Sequence, residues 1–170
     1  HTFSSDGIAS LQDIALIYQA LGHLDFMAIT DHANIWLTSE SDIWSQQKKL
    51  IEQTQNEGFI LIRGFEYSHI VHGHYVVLNT EKFHSSSRDI TLASFYDWLA
   101  SSPQNNQALV FFAHPGYPFQ GKYTEFEHFR YDARLKKIIT GIEVLHWEKR
   151  QPIRAGFFSK KPFLDEAIHS

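Results

Sequence analysis

The stretch Ala28-Ile29-Thr30-Asp31-His32 decides how the chain is read, because it closes the apolar run Leu24-Asp25-Phe26-Met27-Ala28-Ile29 with a carboxylate and an imidazole side by side. A short run of this kind bounded by polar residues reads as a strand. The arrangement recurs along the chain. Phe59-Ile60-Leu61-Ile62-Arg63-Gly64-Phe65 leads into Glu66, and Gly73 precedes His74 and the run Tyr75-Val76-Val77-Leu78. Ala108-Leu109-Val110-Phe111-Phe112-Ala113 leads to His114-Pro115-Gly116, and His1-Thr2-Phe3-Ser4-Ser5-Asp6-Gly7 opens the sequence. In a parallel sheet or an α/β barrel the C-terminal strand ends share one face, so these distant residues can converge on one site. The expectation is that the runs ending at Thr30, Arg63 and Ala113 are neighbouring strands of a largely parallel sheet with helices packed outside. Imidazole and carboxylate together suit Zn, Mn or Fe.

Between these runs the apolar spacing changes to that of helices. Leu11, Ile14, Ala15, Ile17, Tyr18 and Leu21 repeat at helical intervals, with Ser10 as N-cap and Gly22 as stop. Ile43 to Glu57 reads as a polar-faced helix that turns Trp44, Leu50 and Ile51 inward before Gly58, and Thr91 to Leu99 as a third helix. Glu81 to Asp89 reads as a surface loop, and Pro103 to Gln107 as a turn. Glu125 to Ile139 is expected to be helical and Gly141 to Leu145 a strand.

Composition narrows the class. A length of 170 residues with 43% hydrophobic and 15% aromatic side chains is enough for one domain with a sizeable core. A net charge of −4 gives no electrostatic footprint for nonspecific nucleic-acid binding, which leaves a small nucleotide as the one nucleic-acid-like partner expected. With no cysteine there is neither a disulfide nor thiolate chemistry, and the compartment stays open. No apolar run reaches the roughly 18 residues of a membrane span.

Six pieces occur in a fixed order: HTFSSDG (residues 1–7), GHLDFMAITDHAN (22–34), GFEYS (64–68), GHYVVLN (73–79), AHPG (113–116) and GIEV (141–144). In this order they resemble the PHP (polymerase and histidinol phosphatase) superfamily of metal-dependent phosphoesterases and related hydrolases. The resemblance implies an α/β fold, a distorted seven-stranded β/α barrel incomplete in this chain, with residues 1–170 as one domain. The family opens with His-x-His and ends with Asp-x-His, so His1 matches the second histidine of the opening pair. The chain is therefore expected to be part of a longer protein, lacking its first and last metal-ligand segments.

Carried over residue by residue, the resemblance implies metal ligands at His1, Asp6, His32, Glu66, His74 and His114, with two or three divalent ions and Glu66 bridging two of them. A shared carboxylate offsets part of the repulsion between close dications, and neutral imidazoles complete each sphere. His69, His72 and His74 compete for one ligand place, and the order Gly73-His74 before an apolar strand favours His74. Asp6 could instead cap the following helix. Asp31 is expected to accept a hydrogen bond that orients a ligand histidine, and Glu143 to support the ligands in the same way.

The implied chemistry is hydrolysis of a phosphate ester of a small phosphorylated metabolite or nucleotide by metal-activated water. His32 and Glu66 would hold the metals that activate the water. His72 is a candidate general acid for the leaving group, and Arg63, Lys122 and Arg130 are available as phosphate forks. Two alternatives stand beside this reading: a metallohydrolase of carboxylic or carbamate esters, and a noncatalytic metal-binding accessory or scaffold domain.

Overall fold

The computed structural model describes residues 1–21, 24–34, 40–54, 58–69, 73–85, 91–101, 105, 107–114 and 132–142. In chain order these form α1 (Leu11–Leu21), β1 (Phe26–Ile29), α2 (Glu40–Thr54), β2 (Ile60–His69), β3 (Gly73–Leu78), α3 (Leu92–Ser101), β4 (Leu109–Phe112), a 3-10 turn (Ala133–Leu135) and β5 (Ile139–Ile142). The start of α1 follows its sequence signal, since the Ser10 hydroxyl accepts the Asp13 amide at 3.0 Å and so satisfies one of the open donors of the first turn. Asp13 Oδ2 accepts from the same hydroxyl at 2.6 Å.

The strands lie in the order β1-β2-β3-β4-β5, with β1 parallel to β2, β3 antiparallel to both β2 and β4, and β4 parallel to β5. This overturns the seven-stranded barrel: among the described residues the sheet is open, mixed and five-stranded. The cause is local. Only residues 70–72 separate β2 from β3, and a parallel crossover needs a dozen or more residues, whereas a connection this short allows only an antiparallel hairpin. The runs ending at Thr30 and Arg63 are parallel neighbours, as expected, but β3 stands between β2 and β4.

Reversing one strand leaves the convergence of the ligands intact. Strands β1, β2, β4 and β5 point one way and β3 the other, so the start of β3 lies at the same edge as the ends of its neighbours. Tyr75 pairs with Phe112, and the Ala113 amide donates to the His74 carbonyl at 3.0 Å. His74 at the start of one strand and His114 just past the end of the next are therefore adjacent.

The helices cover one face of the sheet. Leu61, Phe65 and Tyr67 of β2 are buried, and as alternate residues of a strand they point the same way. Phe65 and Tyr67 join Trp44, Tyr75, Val77, Phe95, Tyr96, Leu99 and Val110 in one apolar cluster, while Leu61 packs with Ala15, Ile29, Leu50 and Phe59 in another. Tyr67 and Phe95 stack with ring centroids 3.8 Å apart. Arg63 belongs to this helix-covered face too. Its guanidinium sits 4.1 Å from the Trp44 ring centroid and donates to the Thr80 carbonyl at 3.1 Å.

The opposite face carries Glu66 and Ser68 at the even positions of β2. Farther from the strand ends it is apolar and open: the register partners Phe26 and Ile60 are 62% and 50% exposed.

A second expectation fails near the C-terminal end of the described region. Within the helix anticipated over 125–139, residues 125–131 lie outside the described residues, and from Ala133 the chain makes a 3-10 turn and then enters β5. Asp132, extended at φ −126° and ψ 119°, caps the start of the 3-10 turn, accepting the Arg134 amide at 2.9 Å and the Arg134 guanidinium at 2.6 Å. Ile139 then pairs with Val110, where a β-branched side chain fits the pleat better than a helix turn. Ser85, placed in a surface loop by its sequence, is fully buried and donates to the Ala33 carbonyl at 3.3 Å.

Candidate metal centre

Glu66 lies on the sheet face away from the helices and is buried nonetheless, because the segment His1 to Gly7 folds over it. That segment is a compact turn. The Ser5 and Gly7 amides both donate to the Thr2 carbonyl, at 3.0 and 2.9 Å, and Phe3 donates to Ala9 at 2.9 Å. Gly7 is required, since a Cβ there would fall on the His1 carbonyl.

The turn is fastened by Asp31. Its buried carboxylate accepts the Thr2 amide at 2.5 Å, the Thr2 hydroxyl at 2.9 Å and the Ser5 hydroxyl at 2.9 Å. Asp31 thus spends its acceptors on the opening segment rather than on a histidine ring. Its neighbour His32 is held beside Glu66 by a continuation of the β1–β2 ladder: Glu66 donates to the Asp31 carbonyl at 2.9 Å and Ala33 to the Glu66 carbonyl at 3.0 Å.

The six residues singled out as ligands all reach this place. Glu66 Oε2 faces His1 Nε2 at 3.0 Å, and Glu66 Oε1 faces His74 Nδ1 at 2.7 Å, His32 Nδ1 at 3.3 Å and His114 Nε2 at 3.4 Å. Asp6 meets His1 Nδ1 at 2.6 Å through Oδ1 and His32 Nε2 at 3.4 Å through Oδ2. Among the described residues two three-residue groups have ligand atoms close enough for one cation, His1–His32–Glu66 and Glu66–His74–His114, and Glu66 belongs to both.

The second group has the dimensions of a small coordination sphere. Bonds of about 2.0–2.1 Å to a tetrahedral ion place neighbouring ligand atoms about 3.3 Å apart. Glu66 Oε1, His74 Nδ1 and His114 Nε2 are separated by 2.7, 3.0 and 3.4 Å. His114 adopts φ 27°, a strained backbone for a residue with a side chain and the kind of strain that clusters at functional sites.

Electrostatics also mark the cluster. Burial opposes ionisation of Glu66, yet hydrogen bonds from His1, His114 and His74 outweigh it and hold the carboxyl well below its ordinary range. Burial would lower the His1 ring, but the hydrogen bonds and charges of Glu66 and Asp6 raise it to about 9. For His32 burial prevails over the Glu66 charge, and its pKa falls. A nearly closed carboxylate ringed by four imidazoles is a donor set suited to Zn, Mn or Fe.

His72 and Glu143 lie outside the described residues, as do Lys122 and Arg130. Arg63, the remaining candidate for gripping phosphate, is committed to Trp44 and the Thr80 carbonyl on the other side of the sheet. Reading the sequence missed Ser68, whose hydroxyl is 2.6 Å from His32 Nδ1 and 3.3 Å from Glu66 Oε1. The signal was available: two residues beyond Glu66 on a strand, Ser68 has to point to the same face.

The chain matches no family model and no curated protein.

Proposed function

We propose that this chain is a metal-dependent hydrolase that cleaves the phosphate ester of a small metabolite or nucleotide, and that Glu66 is shared by two divalent cations. The observation that carries the reading is the membership of Glu66 in two separate ligand groups, one completed by His1 and His32 and the other by His74 and His114. The ordered motifs from His1–Gly7 to Gly141–Val144 that resemble PHP hydrolases support the same chemistry. The open mixed sheet lends it no support, so the proposal rests on the ligand residues. Asp6 stands at the entrance of the first group, its side chain 49% exposed, where it can serve as a further ligand.

A cation pair supplies Lewis acidity, lowering the pKa of water toward neutrality and offsetting charge on phosphoryl oxygens. The residues do the rest by position. Glu66 and Asp6 bring two negative charges against two dications, so the loaded centre is net positive. That favours a substrate with several anionic oxygens over a neutral ester. His1, His32, His74 and His114 stay neutral as ligands and do not discharge the centre.

The test is metal content followed by hydrolysis. Protein loaded with Zn, Mn or Fe should bind two equivalents and hydrolyse an aryl phosphate in a chelator-sensitive way. Activity on aryl acetate alone, under the same loading, would replace phosphate by carboxylic ester as the substrate class. Loaded protein inactive on both would leave a metal-binding accessory domain.

A further inference from the structure

A neutral histidine carries one ring proton, and which nitrogen holds it decides which nitrogen can bind a cation. For His32 the surroundings of the two nitrogens differ. Nδ1 lies 2.6 Å from the Ser68 hydroxyl and 3.3 Å from Glu66 Oε1. The Ser68 hydroxyl in turn has the Glu66 carbonyl at 3.4 Å and Glu66 Oε1 at 3.3 Å, both of which only accept. Donated to either of these Glu66 oxygens, its single proton leaves an oxygen lone pair facing His32 Nδ1. On the other side, Nε2 faces Asp6 Oδ2 at 3.4 Å, on a carboxylate already engaged by His1 Nδ1 at 2.6 Å.

We propose that Ser68 is a positioning residue that fixes His32 as the Nδ1–H tautomer, so that the Nε2 lone pair faces the Asp6 carboxylate. Two electron-rich atoms then confront each other across a gap of 3.4 Å, an arrangement that a cation between them relieves. The consequence for metal binding rests on the proposed function; the tautomer itself does not. Through His32, Ser68 acts chiefly on the His1–His32–Glu66 group; its 3.3 Å contact with Glu66 Oε1 touches the other group more weakly than its 2.6 Å contact with His32 Nδ1 touches the first.

The experiment uses 15N-labelled, metal-free protein, in which long-range 1H–15N correlations read the protonation of each ring nitrogen and a His32→Gln variant identifies the His32 signals. The expected result is Nδ1 protonated and Nε2 bare in the wild type. Ser68→Ala should shift the population toward Nε2–H, donating to Asp6, and Ser68→Thr, which keeps the hydroxyl, should restore the wild-type pattern. A wild-type His32 with its proton on Nε2, or a tautomer indifferent to Ser68→Ala, overturns the proposal. Titration with zinc gives the second reading: Ser68→Ala should weaken one of two binding events about 10- to 100-fold, the range for removing a partner that orients a ligand, and the other clearly less. Equal weakening of both events would also overturn it. Wild-type protein that binds no zinc at all defeats the metal reading by itself, whatever the tautomer of His32.

Discussion

The two halves of the candidate centre are built by different means. His74 and His114 are set by a sheet: His74 at the start of β3 and His114 just past the end of β4 are joined through the backbone hydrogen bond from Ala113 to His74, and their ring centroids are 4.7 Å apart. His1 and Asp6 ride on a turn that belongs to no strand, and side-chain hydrogen bonds to Asp31 fasten it to the sheet. A ladder distributes its constraint over many backbone bonds, so one substitution rarely moves it. A strap held by one carboxylate can be released by changing one residue. The two ligand groups, although they share Glu66, should therefore fail separately.

The largest effect is expected where the halves meet. Glu66→Gln keeps the shape and removes the shared charge, so it should abolish uptake of both ions by elemental analysis and lower chelator-sensitive turnover by a factor on the order of 100 or more. Retention of two equivalents would show that the halves do not depend on a common carboxylate. Asp31→Ala should come next. It strands the Thr2 amide and two hydroxyls, each at a cost of about 1–3 kcal/mol where buried, and it should remove the ion at His1 and His32 while the ion at His74 and His114 stays. Loss of both ions in protein that is still folded by circular dichroism would erase the distinction between strap and ladder.

His114→Ala is the reciprocal case. It should remove one equivalent of metal and leave the opening turn in place, read as unchanged amide exchange protection of Ser5 and Gly7, whose acceptor is the Thr2 carbonyl. Gly7→Ala attacks the opening turn from the other end, because its new methyl meets backbone atoms of His1 and Thr2; isothermal titration should show the first group weakened and the second untouched. Smallest of all, Arg63→Gln should cost about 1 kcal/mol in urea denaturation through loss of its contact with Trp44. It should leave metal content and the KM for aryl phosphate unchanged, and a raised KM would return Arg63 to the substrate site.

The same division governs what could be read in advance. The start of α1 at Ser10 followed from a cap, and a helix expected over Thr91 to Leu99 was found at Leu92–Ser101; such signals are local. The acids and imidazoles at strand ends were equally legible, because a strand that ends in a polar pair shows it in consecutive residues. Glu66 was placed after its strand rather than inside it, since the alternation that carries β2 on to His69 continues through buried polar residues whose partners are far away in sequence.

What the amino-acid sequence determined by itself is the short apolar runs bounded by acids and imidazoles; the set His1, Asp6, His32, Glu66, His74 and His114 came from the resemblance of its ordered motifs to PHP hydrolases, and these residues do lie together. Only the tertiary structure decided how the strands are ordered, because alternation with period two looks the same in a parallel and an antiparallel pair. The β2–β3 hairpin belongs here too, because its three-residue connection shows only once β2 is seen to run on to His69. The tertiary structure also decided the work of Asp31, whose partners Thr2 and Ser5 lie 29 and 26 residues away, and that of Ser68, 36 residues from His32. Hydrogen bonds over such separations depend on how the chain closes on itself, and no local pattern encodes which donor a buried carboxylate will meet.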